Sequence, residues 1–363
     1  MSVTTPSRSA LEFVRIAIRE MQAYALESRT GSDKLSQNES PFDFPDDLKR
    51  EVVSRVEARP WNRYPDFELA RLRTAIAGAH GLQTENILVG NGSNELLLAA
   101  IGTFAGAGAT VLYPSPTFPL YEKLVHIFGG TPVGVPLDPS TGLLPVDRML
   151  ELASESGNPP IFVVCSPNNP TGGVLAPGDL ERLLESGGLV LLDRAYGEFS
   201  SSPVPPMHDR LVVLSTFSKA MGLAGLRIGL LASTGEICRE IRKVKLPYSL
   251  NIFSEEAAIV ALEQQERLAR HIATIVGERE RVRAYLLSLS GIEPFPSEAN
   301  FIAFRVDGSS SKIFERLALN GILVRDVGRY PLLENVLRVS IGTPAQNDRF
   351  RECLEESLKV RQA

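Results

Sequence analysis

Lys219 lies in STFSKAMGLAGLRIG (215–229), with the hydroxyls of Thr216 and Ser218 just before it, small glycine-rich residues after it, and Arg227 eight positions on. Most lysines are solvated surface charges. This one ends the apolar run RLVVLSTFS (210–218), which has the composition of a buried strand. An amine kept out of water near other positive charge loses proton affinity and becomes a nucleophile, which is the requirement for Schiff-base chemistry with an aldehyde. Two hydroxyls and a guanidinium beside it are the donors that a phosphate would need.

Four other segments carry compatible groups. LLDRAYGEF (191–199) puts Asp193 at the end of a near-continuous apolar run and Tyr196 three residues later. An Asp there often caps the next helix; buried beyond a cap, it needs a cationic partner. SPNNPTGG (166–173) has the composition of an ordinary turn, yet it places Asn169 where a side-chain N–H can meet an anionic oxygen. GNGSNELLLAA (90–100) brings Ser93 and Asn94 to a strand-to-helix turn. Such a turn cradles phosphate on its N–H groups, and it equally serves as a plain connection. It lacks both the GK[ST] of a nucleotide loop and the third glycine of a dinucleotide fingerprint. Phe118, in PSPTFPLY, offers a flat face to a ring or simply packs. Pyridoxal 5′-phosphate satisfies all of these together. Its aldehyde takes Lys219; its phosphate takes Ser93, Asn94, Thr216, Ser218 and Arg227; its ring nitrogen takes Asp193; its phenolate oxygen takes Asn169 and Tyr196; its ring face takes Phe118.

The elements that must position these groups follow from the hydrophobic pattern. From about 45 to 245, short apolar runs (86–90, 109–114, 160–166, 188–193, 210–218 and 227–232) alternate with helical segments. Near-continuous apolar strands separated by helices predict an α/β fold with a mostly parallel sheet buried on both faces. Ligands of such sheets sit at the carboxyl ends of the strands, where every segment above is placed. The pattern changes near 250. A long helix is expected over 254–291, capped by Ser254 and ended by Gly291, followed by a smaller α+β unit closing with a helix after Pro344. The expected division is an N-terminal arm (1–40) with a helix-like stretch, LEFVRIAIREMQAYA, a large domain (41–250) and a small C-terminal domain (251–363).

The 363 residues carry 38 Lys and Arg against 43 Asp and Glu, a formal net charge of −5, with no basic stripe of the kind nucleic acid requires. Three separated cysteines and four scattered histidines give neither a disulfide framework nor metal-ligand spacing. No apolar run approaches the ~20 residues of a membrane span, and the first residues lack the uncharged core of a signal peptide. The expectation is a reducing compartment, most simply the cytoplasm.

In the order of its motifs the sequence resembles the fold-type I pyridoxal-phosphate aminotransferases, and within them the histidinol-phosphate aminotransferase family. The resemblance runs from about residue 34 to 345 and rests on KLSQNESPF (34–42), RYPD (63–66), GNGSNELL, PSPTFPLY, SPNNPTGG, DRAYGEF, TFSKAMGLAGLRIG, KLPYSLN (245–251), ANFIAFR (299–305), GILVRD (321–326) and LRVSIGT (337–343). It departs at Asn94, where Asp is usual, and at Phe118, where Tyr is usual. The resemblance implies that Arg338 grips a substrate carboxylate or phosphate, with Arg325 as a second anion contact or else an exposed charge after a strand. It implies that Tyr64 reaches the cofactor phosphate of a second copy in a homodimer. Tyr24 would lie near the substrate and Tyr248 near cofactor or substrate, or both would be surface aromatics. The expected partners are a small-molecule amino donor and a 2-oxo acid, with L-histidinol phosphate and 2-oxoglutarate as the favoured pair. Aromatic amino-acid transamination and a lyase resembling threonine-phosphate decarboxylase are the alternatives.

Overall fold

In the computed structural model, which describes residues 9–23, 29–138, 140–155 and 159–359, each of the six apolar runs forms a strand. After a two-residue strand, β1 (Asp33–Lys34), come β2 (Ile87–Asn91), β3 (Thr110–Ser115), β4 (Thr131–Pro136), β5 (Ile161–Cys165), β6 (Leu189–Asp193), β7 (Leu211–Thr216) and β8 (Ile228–Ala232). Strands β2 to β8 form one sheet in the order β2-β8-β7-β6-β5-β3-β4. All point the same way except β8, which is antiparallel to both β2 and β7.

Both faces of the sheet are covered, which is why these runs are continuous rather than alternating. On one face Val111, Val163, Leu191 and Leu231 pack against Leu96, Leu97 and Ile101 of the helix Ser93–Phe104. On the other, Phe162, Val164, Val190 and Leu192 pack against Met149 and Leu183. Each fully buried aliphatic side chain contributes roughly 1.5–3 kcal/mol, so this double layer makes a rigid platform for the strand ends. Strand β4 escapes the sequence pattern because TPVGVP carries two prolines and a glycine and reads as a turn. Its place at the edge of the sheet is what tolerates the prolines.

The smaller unit contains β9 (Ile292–Pro294), β10 (Phe301–Val306), β11 (Ile322–Leu323), β12 (Arg325–Asp326) and β13 (Val336–Ser340), with an antiparallel sheet ordered β12-β13-β10-β9. Strand β1 pairs with β11, and Leu35 joins the small unit's core. Two expectations need correction. The long helix is two, Ile252–Glu263 and Gln265–Ser288, interrupted at Gln264. Its cap is Asn251, whose Oδ1 accepts the Ser254 N–H at 2.9 Å, while the Ser254 hydroxyl donates to the Leu226 carbonyl at 2.6 Å. The N-terminal helical stretch shrinks to a 3-10 turn (Ala10–Phe13) and a single α turn (Ile16–Arg19). Leu11, Phe13 and Ile16 are exposed there, and a helix with no apolar face to bury is marginal in water.

Candidate active site

The carboxyl ends of β5, β6 and β7 open into a cleft of about 370 Å³ closed on its far side by β12 and β13 of the small unit. Because β8 is antiparallel, it begins at the edge where β7 ends, with Gly229 opposite Thr216. This brings Arg227 next to the hydroxyls. Its Nη1 donates to Ser218 Oγ at 3.2 Å and to the Ala224 carbonyl at 3.1 Å. Thr216 Oγ1 accepts the Ser218 N–H at 3.1 Å and donates to the Ile228 carbonyl at 3.0 Å. The helix Ser93–Phe104 starts at the same place, behind Gly92 at φ +79°. A Cβ on Gly92 would lie 2.5 Å from Arg227 Nη2, and one on Gly229 would lie 2.2 Å from the Gly92 carbonyl carbon. Two glycines therefore let a guanidinium, two hydroxyls and a helix N-terminus share one corner, a combination suited to a dianion.

Lys219 follows directly. Its Nζ donates to the Gln37 carbonyl at 3.0 Å and stands 5.9 Å from the centre of the Tyr196 ring. The amine's pKa is pushed down to about 8, first by burial, then by the positive charge of Arg338, with Arg227 adding to it and Glu39 opposing. The electropositive environment expected of a nucleophilic amine is present, around a side chain that the cleft leaves partly buried.

Asp193 ends β6 and is 6% exposed. It caps no helix. Its Oδ1 accepts the Ala195 N–H at 2.9 Å and its Oδ2 accepts the Tyr121 hydroxyl at 2.8 Å. Burial raises its proton affinity, and these two hydrogen bonds oppose the rise. A buried carboxylate facing a cleft with neutral donors behind it suits a cationic N–H in front. Tyr196 is buried edge-on to Phe301, its hydroxyl oxygen accepting from the Asn38 amide at 3.0 Å; burial holds its phenol well above the usual value. Phe118 lines the cleft and packs edge-to-face on Tyr121, 5.7 Å between centres.

Across the cleft, Arg338 projects from β13 and is 7% exposed. Its Nη1 donates to Asn169 Oδ1, its Nη2 donates to the Ser36 carbonyl at 2.8 Å, and the guanidinium lies 5.1 Å from the Phe301 ring centre. Arg325 faces Arg338 in register across β12 and β13, and it also lines the cleft. The structure thus brings together Ser93, Asn94, Phe118, Asn169, Asp193, Tyr196, Thr216, Ser218, Lys219, Arg227, Arg325 and Arg338.

Two other residues singled out in the sequence lie elsewhere. Tyr64 is 81% exposed and stacks on Tyr248, 4.7 Å between ring centres, with Phe67 edge-on to Tyr248. Neither tyrosine lines the cleft of its own chain; Tyr248 adopts φ +53° in the loop after Lys245 and rests on Tyr64. Tyr24 falls outside the described residues. Conversely, Asn38, Glu39, Tyr121 and Tyr330 line or support the cleft and are absent from the sequence-based set. Tyr121 had one legible signal: it lies three residues after Phe118 at the start of a helix, on the face that turns toward the same strand ends. Among the described residues no cluster of His, Cys, Asp and Glu could hold a metal, and no helix is long and apolar enough to cross a membrane.

The family model for aminotransferase class I and II matches residues 33–354. The histidinol-phosphate aminotransferase of Chlorobium phaeovibrioides is 39% identical over 353 residues, 96% of this chain and 97% of that protein. Its counterpart from Aquifex aeolicus is 37% identical over 348 residues, 94% of this chain and 97% of that one. The crystal structure of histidinol-phosphate aminotransferase from Sinorhizobium meliloti in complex with pyridoxal-5′-phosphate aligns with a TM-score of 0.86 at 26% identity, covering 99% of this chain and 100% of that one. A family match over nearly the whole sequence, and relatives this similar along their full length, show that the chain belongs to the class I and II aminotransferases.

Proposed function

We propose that the chain transfers the amino group of L-histidinol phosphate to 2-oxoglutarate, giving imidazole acetol phosphate and L-glutamate, with pyridoxal 5′-phosphate held in the cleft. The observation that carries this reading is the Lys219 amine, brought down to about 8, in one cleft with a buried carboxylate and two arginines in register. The residues present fit the cofactor. The corner in front of Gly92, which a Cβ would fill, suits its phosphate, and Asp193, backed by neutral donors, suits a protonated ring nitrogen. When bound, the cofactor supplies an aldehyde to receive the amino group and a ring into which the electron pair at Cα drains.

The chain's residues do the rest. Arg227, Ser218, Thr216, Ser93 and Asn94 hold the phosphate. Arg227 dominates, because a helix N-terminus contributes only ~0.3–2 kcal/mol while a guanidinium adds charge-assisted hydrogen bonds. Asp193 keeps a proton on the ring nitrogen, Asn169 and Tyr196 orient the phenolate oxygen, and Phe118 covers the ring. Lys219 would remove the proton at Cα as general base and deliver it, as general acid, to the carbon that was the cofactor's aldehyde. At pH 7 an amine of pKa about 8 is neutral roughly 300 times more often than one at 10.5, which makes that base available. Arg338 and Arg325 receive the anionic group of each substrate in turn, phosphate or carboxylate, since a guanidinium suits both.

The exposed rings of Tyr64, Phe67, Tyr248 and the neighbouring Trp61 support a homodimer in which Tyr64 reaches the second copy's cofactor phosphate, because contiguous exposed aromatics mark contact surfaces. The reading places the enzyme in the cytoplasm, with residues 1–40 as an arm, 41–250 as the cofactor domain and 251–363 as the small domain. The test is an amino-donor panel with 2-oxoglutarate. Histidinol phosphate is expected to exceed phenylalanine and tyrosine in kcat/KM by at least tenfold, about 1.4 kcal/mol. Equal values would reassign the enzyme to aromatic amino acids, and carbon dioxide release without glutamate formation would make it a lyase.

A further inference from the structure

Tyr121 is 0% exposed, at the start of the helix Leu120–Phe128, and its hydroxyl donates to Asp193 Oδ2 at 2.8 Å. A buried tyrosine must satisfy its hydroxyl, and most find a partner in the backbone or in water. This one meets the carboxylate that faces the cleft. The other oxygen of that carboxylate accepts the Ala195 N–H at 2.9 Å, so the two donors fix both the plane and the tilt of the group. Phe118 packs edge-to-face on the Tyr121 ring and holds it in place. The thiol of Cys165 donates to the Pro167 carbonyl at 3.1 Å, and its sulfur also lies beside the Tyr121 hydroxyl.

This arrangement has a chemical consequence. A carboxylate and a pyridine nitrogen facing each other share one proton, and its position depends on which partner is better stabilised in its charged form. Burial favours the neutral acid, which would draw the proton away from the ring. A hydrogen bond donated to the carboxylate favours the anion and leaves the proton on the ring, where it makes the ring a better electron acceptor.

We propose that Tyr121 is a positioning residue, which orients Asp193 and keeps the proton shared with the cofactor's ring nitrogen on the ring side. The inference rests on the reading above that Asp193 faces that nitrogen. The test is the ring-nitrogen resonance of holoenzyme loaded with cofactor labelled with nitrogen-15 in the ring, measured at one neutral pH for wild type, Tyr121→Phe and Asp193→Asn. Tyr121→Phe is expected to move the resonance toward the unprotonated position, by part of the displacement that Asp193→Asn causes. The half-reactions with histidinol phosphate and with glutamate should slow by the same factor, roughly ten- to a hundredfold, with KM little changed.

If Asp193→Asn moves the resonance and Tyr121→Phe does not, the inference fails while the assignment of Asp193 stands. If Asp193→Asn leaves it unmoved, both fail. Should Tyr121→Phe not fold, para-aminophenylalanine at position 121 provides a weaker donor of the same shape. It is expected to give a smaller displacement in the same direction, and an unmoved resonance there overturns the proposal.

Discussion

The apoprotein is expected to capture the aldehyde of pyridoxal phosphate with a pH midpoint near that of the Lys219 amine, about 8, rather than near the ordinary lysine value of 10.5. Only the neutral amine attacks a carbonyl, so the rate of capture follows its population. At pH 7.5 the drop raises the neutral fraction from about one in a thousand to about one in four. Burial contributes most and the charge of Arg338 next, with Glu39 opposing. Arg338→Met should therefore raise the midpoint, and Glu39→Gln should lower it. The assay is stopped-flow absorbance after mixing cofactor with apoprotein at a series of pH values from about 6 to 10, bracketing both limits. A wild-type midpoint at or above 10, or one that does not move upward in Arg338→Met, would refute the electrostatic argument.

Other outcomes follow from the same geometry. A lysine whose pKa is depressed in the fold releases a proton that the unfolded chain keeps. The apoprotein should then gain stability as pH rises from about 8 to 10.5, and should bear the full penalty below that window. Lys219→Met should accordingly stabilise apoprotein at pH 7, by about 1–3 kcal/mol after allowance for the open cleft, read from urea unfolding. Gly92→Ala places a Cβ 2.5 Å from Arg227 Nη2 on a backbone at φ +79°. Cofactor affinity should fall at least about tenfold, with a stability loss of about 1–3 kcal/mol for the strained backbone. Arg59 binds two carboxylates, Glu255 and Glu256, each 1% exposed. Arg59→Ala should cost about 3–5 kcal/mol in urea, because it leaves buried charge uncompensated. Burial alone would raise the Glu256 pKa, but Arg71 and Arg59 outweigh it and hold it below 4.5. That stabilisation is present above 4.5 and is lost as pH falls through the depressed value, so acid unfolding of Arg59→Ala should begin at higher pH.

What the sequence made legible depended on distance along the chain. Local signals sufficed for the strands, since a run such as IFVVC between turn formers has few other destinations. They also sufficed for Lys219, Ser218 and Arg227, which share one short connection. The pairings of Tyr121 with Asp193 and of Asn38 with Tyr196 were not legible, because 72 and 158 residues separate the partners, and only the fold brings them together. Arg338 was reached through family resemblance alone, although VLRVS sets a cation inside a strand whose five residues are all buried. A charge in that position needs partners, and the structure supplies them in Asn169 and the Ser36 carbonyl. The break at Gln264 had no signal of comparable strength, because QQER is a good helix sequence.

The reversal of β8 determines which residues can act together. A parallel strand after β7 would need a crossover helix over the face of the sheet and would begin at the opposite edge. Arg227, just before β8, would then lie a full strand length from Lys219. With β8 antiparallel, the connection stays at the carboxyl edge, and the amine, the hydroxyls and the guanidinium occupy one loop. In the proposed assignment the anion grip comes instead from the small unit, where Arg338 is fixed to Asn169 at the end of β5 and to Ser36. In that assignment cofactor retention and substrate choice fall to separate elements that face each other across the cleft. On this division, changes at Arg325 or around Tyr330 can alter which anion is accepted while leaving the environment of Lys219 and Asp193 intact. One scaffold can in this way serve several amino donors with the same proton chemistry.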